Sequence, residues 1–108
     1  MLQVLSHSVH AIFQKPFAIG YYEVGKKEKA REIISQVIKK YQENLTFYNS
    51  WKPSEQNFGA MDIVTDIEQY RNLLQVAKNA NDLEFYNKEK VKFNNFNKMF
   101  QRFGRDME

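Results

Sequence analysis

Apolar residues recur along this 108-residue chain at intervals of three and four, the spacing of amphipathic helices. Leu2, Leu5, Val9 and Ile12 form the first stripe and predict an N-terminal helix. It is expected to stop near Pro16, which lacks a backbone donor and disfavours helix at Lys15. Pro16 then opens a short helix over 16–24, and Gly25 caps it, because a left-handed backbone is cheap for glycine. The strongest stripe runs through Ala30, Ile33, Ile34, Val37, Ile38, Tyr41, Leu45 and Tyr48 and predicts a helix over 27–49. Residues 51–59, with Pro53, Ser54, Asn57 and Gly59, read as the main loop. Ile63, Ile67, Tyr70, Leu74 and Ala77 predict a helix over 60–79. Asn81 or Asp82 is placed to cap a last helix over 83–103, with Tyr86, Phe93, Phe96, Phe100 and Phe103 on one face and Gly104 at its end. Residues 105–108 are expected to fray.

The expectation is an all-α domain of about five helices. It comprises an extra N-terminal helix and two stacked antiparallel hairpins, 16–49 and 60–104. Only four glycines and two prolines punctuate the chain, which suits long helices, and no strand-like alternation appears. An apolar fraction of 43% with 9 Phe, 6 Tyr and 1 Trp supplies a core and argues against disorder. The absence of cysteine excludes disulfides and cysteine nucleophiles. No apolar run approaches the ~20 residues needed to span a bilayer. The net charge of +3 comes from interleaved acids and bases, weaker and less localised than in a dedicated nucleic-acid binder.

The stretch from Pro16 to Ala30 is the most specific in the chain. Tyr21 and Tyr22 precede the turn at Gly25, and Ala30 follows five residues later. Phe17 and Ala18 add a large and a small residue one turn earlier. Ala18, Gly20 and Ala30 fall where two helices would approach closely. This pattern resembles a tetratricopeptide repeat over about 34 residues. The resemblance implies that Phe17, Ala18, Tyr21, Tyr22, Gly25 and Ala30 secure the helix pair, with Gln14, Ile19 and Glu23 on a concave surface. Two departures stand out. Pro16 lies inside the first repeat helix, and Gln42 stands where the closing proline belongs, so the second helix runs on.

A narrower resemblance accommodates both. Pro16, Phe17, Ala18, Gly20, Tyr21, Tyr22, Gly25 and the Lys27-Glu28-Lys29-Ala30 run, followed by Leu45, Phe47 and Tyr48, are similar to the soluble helical tail of large membrane proteins of Bacteroidetes-type bacteria. The membrane part of that family resembles protein O-mannosyltransferases. The resemblance implies a C-terminal piece of a larger bacterial protein, membrane-associated through a segment outside this chain. Any glycosyl transfer would then reside in that segment.

Candidate chemistry is sparse, and no enzyme activity, cofactor or metal site is expected in this segment. His7 and His10 at i, i+3 lack further ligands nearby. Asp62 and Asp66 share a helix face, but in the opening turns they suit the positive end of the dipole. Lys26, Lys27, Lys29 and Arg31, with Lys39 and Lys40, form one basic cluster. Lys88, Lys90, Lys92, Lys98, Arg102 and Arg105 form another, interleaved with aromatics. Nucleic-acid binding by stacking and phosphate attraction is the alternative function. Against it, the phenylalanines fall on one face and suit a core. Attraction to an anionic membrane surface is a further possibility. Trp51 and Phe58 bracket the main loop, where they would anchor a partner or fold back as a plug. The favoured expectation is a non-catalytic scaffold or protein-interaction module. Its partner is the rest of its own chain or another subunit, and the isolated chain self-associates.

Overall fold

The computed structural model describes residues 14–104. Among them the chain is helical without strands: α1 (residues 14–23), α2 (Lys27–Asn49), α3 (Pro53–Phe58), α4 (Ala60–Asn79), α5 (Leu83–Met99) and α6 (Gln101–Gly104). The stripe of Leu2, Leu5, Val9 and Ile12, the histidines His7 and His10, and the tail 105–108 lie outside the described residues.

Two turns of the same construction set the topology. After α1, Gly25 takes φ +80°. The Lys26 N–H donates to the Tyr21 carbonyl (2.7 Å) and the Gly25 N–H to the Tyr22 carbonyl (3.1 Å). This is a Schellman closure, which satisfies carbonyls that the end of a helix leaves open. After α4, Asn81 takes φ 64°, and the N–H groups of Asp82 and Asn81 donate to the carbonyls of Ala77 and Lys78, each at 2.9 Å. Asparagine tolerates the left-handed region that most side chains avoid. Each closure reverses the chain within three residues, giving two antiparallel hairpins, α1–α2 and α4–α5. The hairpins stack with α4 between α2 and α5.

The predicted stripes become the core. Ile34, Ile38, Tyr41 and Leu45 of α2 meet Ile63, Ile67, Tyr70 and Leu74 of α4, all fully or almost fully buried. Burying each such side chain contributes about 1.5–3 kcal/mol before entropy is counted. Phe93 of α5 completes the layer, its ring edge-on to Tyr70 at 4.9 Å and 76°. Phe100 is also buried, and Phe96 and Phe103 pack partly buried against the same core. The stripe is therefore core and not a set of stacking platforms. Gln42, at the position of the missing repeat proline, keeps α2 helical and donates its amide to Tyr70 Oη (2.9 Å).

Five expectations need correction. Helical backbone already includes Gln14 and Lys15, so Pro16 does not mark a boundary. Proline lacks a backbone donor, and helical backbone runs through it from Lys15 to Phe17. Second, the segment read as the main loop contains α3. Pro53 occupies its first turn, and the Lys52 N–H donates to the Glu55 carboxylate (2.8 Å), so the supposed loop formers start a helix. Third, the last helix does not run unbroken to 103. It halts at Phe100 (φ −124°, ψ 28°), and α6 follows, packed on α4 and α5. Fourth, Phe17 is not a packing residue: it is 60% exposed, because the buried face of α1 carries Ala18 and, one turn on, half-buried Tyr22. Nor does Gly20 mark a close approach, since a Cβ there would meet nothing within 4 Å. Ala18 and Ala30 are fully buried. Tyr21 is half-buried.

Candidate functional site

The residues expected to face a partner fall into two separate places. Ile19 and Glu23 line a cleft of about 410 Å³ between α1 and α4, opposite Asn72, Val76 and Asn79. Gln14, on the same helix, is half-buried. Trp51 and Phe58 lie at the other end of α2, whose 23 residues span about 34 Å. No single groove gathers all five.

At that far end, the corner between α2 and α4 is built around Trp51. Its ring stands edge-on to Tyr48 (5.0 Å) and Phe47 (5.4 Å). It also rests on Gly59: a Cβ there would come within 2.9 Å of the indole. Only glycine leaves space for the ring in this position. Gln56 of α3 ties the corner together, donating to the carbonyls of Tyr48 (3.0 Å) and Trp51 (3.3 Å). Trp51 is thus a half-buried plug. Phe58 is not: it is 94% exposed, with Met61 at 79% and Phe47 at 60%. The expectation for the loop aromatics divides between the two, one folded back and the other presented outward. Met61 carries no distinct mark in the sequence, and Phe47 is marked only within the family resemblance, not as a surface residue. Phe47 follows the helical repeat off the buried face of α2, and Met61 precedes the stripe that starts at Ile63.

At the opposite end the two hairpins are joined by a carboxylate. Asp82 is buried and does not cap α5 with its side chain. Its Oδ2 accepts from Tyr22 Oη (2.7 Å) and Arg31 Nε (2.8 Å), and its Oδ1 from Arg31 Nη2 (2.6 Å). Arg31 also lies over the Phe85 ring at 5.6 Å. It belongs to this junction rather than to a free basic cluster. The Arg31 guanidinium, opposed by burial and aided by Tyr22, holds the Asp82 carboxyl down at about 2. Burial and the adjacent carboxylate push the Tyr22 phenol well above its usual range.

Asp66 is the second buried acid, and dipole compensation does not account for it. It sits in register with Ile63, Tyr70 and Leu73 on the inner face of α4. Asn44 donates to it at 3.2 Å, and the hydroxyl of Tyr41 is buried without a hydrogen-bond partner among the described residues. Burial pushes Asp66 up to about 6, with Asn44 working against the rise and Asp62 adding to it. An acid raised in the folded state binds its proton there more tightly than in the unfolded chain, where its pKa is about 3.9. Its penalty is therefore absent below pH ~4, grows as pH rises through about 6, and is complete above. Asp82 has the opposite sign: its contribution is present above pH ~4 and lost as pH falls through about 2. Urea unfolding should show wild-type stability falling between pH ~4 and ~6.5. Asp66→Asn should remove that slope and gain on the order of 2 kcal/mol at pH 7. An unchanged slope would show that another group sets it.

Among the described residues no three His, Asp or Glu side chains converge to hold a metal ion, and no helix is long and apolar enough to cross a membrane. Compared with protein-family models, curated proteins and solved structures, the chain matches none.

Proposed function

We propose that this chain is a helical protein-interaction module that docks through the corner formed by α2, α3 and α4. The observation that carries the reading is the exposure of Phe58, 94%, beside the rigid Trp51–Gly59 contact. A large aromatic held outward on a braced corner is costly in water, and it anchors binding when a partner covers it. Met61 and Phe47 extend the apolar surface around it. The partner is a protein, either the remainder of a longer chain or another subunit. The membrane-linked bacterial setting implied by the sequence resemblance belongs to this proposal too. Its support is the string from Pro16 to Ala30. The core placement of Phe93 and Phe100 favours this reading over base stacking on a nucleic acid.

Sedimentation of the isolated chain tests it. Concentration-dependent self-association is expected, through the uncovered corner. Phe58→Ser/Met61→Ser should return the chain to a monomer with unchanged helicity and melting temperature, because both side chains are exposed. A strict monomer at high concentration, or association indifferent to both substitutions, would count against the corner.

A further inference from the structure

Charge is divided unevenly along this chain. Residues 1–14 contain no Asp, Glu, Lys or Arg, so all 16 basic and all 13 acidic residues fall in 15–108. Within that uncharged stretch Leu2, Leu5 and Val9 recur at helical spacing, and Gln3, His7 and His10 fall on the opposite side of the same helical wheel. A short amphipathic helix gains its stability mainly from packing, so its apolar stripe needs a surface to cover it.

Such a surface lies beside the point where the stretch joins α1. The cleft of about 410 Å³ between α1 and α4 begins at Lys15. Ile19 of α1 and Val76 of α4 line it, and Ile19 is left 39% exposed. On the α4 side Asn72, Gln75, Val76 and Asn79 form a wall without charge. Gln75 donates to Asn79 (2.8 Å), so these two amides are partly paired already. Among the described residues lining the cleft only Lys15 and Glu23 are charged, and they stand eight residues apart on α1, about 12 Å. An uncharged segment laid between them buries no charge. A charged segment would meet no counterion in the middle of the cleft.

Chain direction and length agree with this occupant. Tyr22 Oη donates to Asp82, just past the end of α4, so α1 and α4 end together and run parallel. Gln14 therefore lies at the other end of the cleft, and a segment entering from it doubles back antiparallel to both helices. Residues 2–9 as a helix span about 10 Å, close to the separation of Lys15 and Glu23. Residues 10–13 remain for the reversal, within the usual length of a connection between packed helices.

We infer that the chain's own residues 2–9 dock as an amphipathic helix in the α1–α4 cleft, with Leu2, Leu5 and Val9 against Ile19 and Val76. The chain thereby closes this cleft itself and leaves the α2–α3–α4 corner as the surface for another protein. The inference does not rest on that reading of the corner.

The chain has no cysteine, so Ser6→Cys gives a single attachment point for a nitroxide spin label in the full chain. Amide signals of residues 19, 72, 75 and 79 should broaden, and those of 56–61 at the corner should not. Mixing spin-labelled chain with isotope-enriched, unlabelled chain should produce none of this broadening, since the contact lies within one molecule. Stability gives a readout free of the label. Leu5→Ser/Val9→Ser should lower the melting temperature by about 5 °C or more. Ile19→Ser should lower it too, although a side chain this exposed would tolerate serine if nothing covered it. The three changes together should cost less than the sum of their separate effects, as for residues in contact. Phe58→Ser/Met61→Ser should leave the broadening intact, which separates this inference from the corner. Broadening seen in the mixture assigns the segment to a second copy, and broadening at the corner, or only with anionic lipid vesicles, assigns it elsewhere. Any of these results, or a wild-type melting temperature for Leu5→Ser/Val9→Ser, would overturn the inference.

Discussion

Phe93→Ala is expected to lower the unfolding free energy by about 4 kcal/mol. Phe93 is 1% exposed and joins the two halves of the core, its ring edge-on to Tyr70 while Arg71 and Lys90 lie over it. Truncation removes the buried ring and the aromatic contact, and it leaves a cavity that rigid helices fill only in part. A domain of this length is typically stable by only about 5–15 kcal/mol, so the variant should unfold at markedly lower urea concentration. Phe93→Leu, which retains much of the volume, should cost less than half as much. Similar midpoints for the two variants would show that the surrounding helices close over the lost volume.

Asp82→Ala is expected to cost about 3 kcal/mol. The substitution removes few atoms, but it leaves Arg31, which is only 20% exposed, with the exposed Glu28 and Glu84 at 3.8 and 3.9 Å, and it takes the acceptor from Tyr22. The cost arises mainly from the two short hydrogen bonds that the half-buried guanidinium loses. Arg31→Met/Asp82→Leu should therefore be more stable than Asp82→Ala alone, because neither charge is left without its partner. A double variant as unstable as the sum of both single changes would assign the loss to packing. Acid titration gives a second check. Wild-type stability should fall below pH ~4 as the Asp82 carboxylate takes up its proton, and Asp82→Ala should lose less over that interval.

The boundaries of α2 and α4 were legible because long amphipathic stripes and flanking punctuation agreed. The turn at Gly25 was legible for the same reason: only a left-handed residue completes that closure. α3 was not, since Pro53, Ser54, Asn57 and Gly59 are common in loops, and a six-residue helix has no room for a stripe. The break at Phe100 left no mark, because the 3-4-3 spacing of the phenylalanines continues across it. The burial of Asp66 could have been read from its position within the stripe of Ile63, Tyr70 and Leu73. The role of Asp82 could not. As a residue beside a helix start it signals a cap, whereas its partners lie 51 and 60 residues away in sequence. The candidate corner was half legible: Trp51 and Phe58 stand out together as aromatics flanking a polar segment, yet only the fold separates the plug from the exposed ring.

The shared acid at the paired turns bears on how this architecture divides. Each hairpin has its own short connection, closed by its own left-handed residue. The first, however, makes the short hydrogen bonds of Tyr22 and Arg31 to a carboxylate borrowed from the second, while its own Glu28 reaches Arg31 at 3.8 Å. A fragment ending before α3 would retain both donors and lose the carboxylate they share, leaving Arg31 the exposed Glu28 alone. The two hairpins are thus tied into one unit at this junction. Truncating a single hairpin would separate Arg31 from its nearest counterion and Tyr22 from its acceptor.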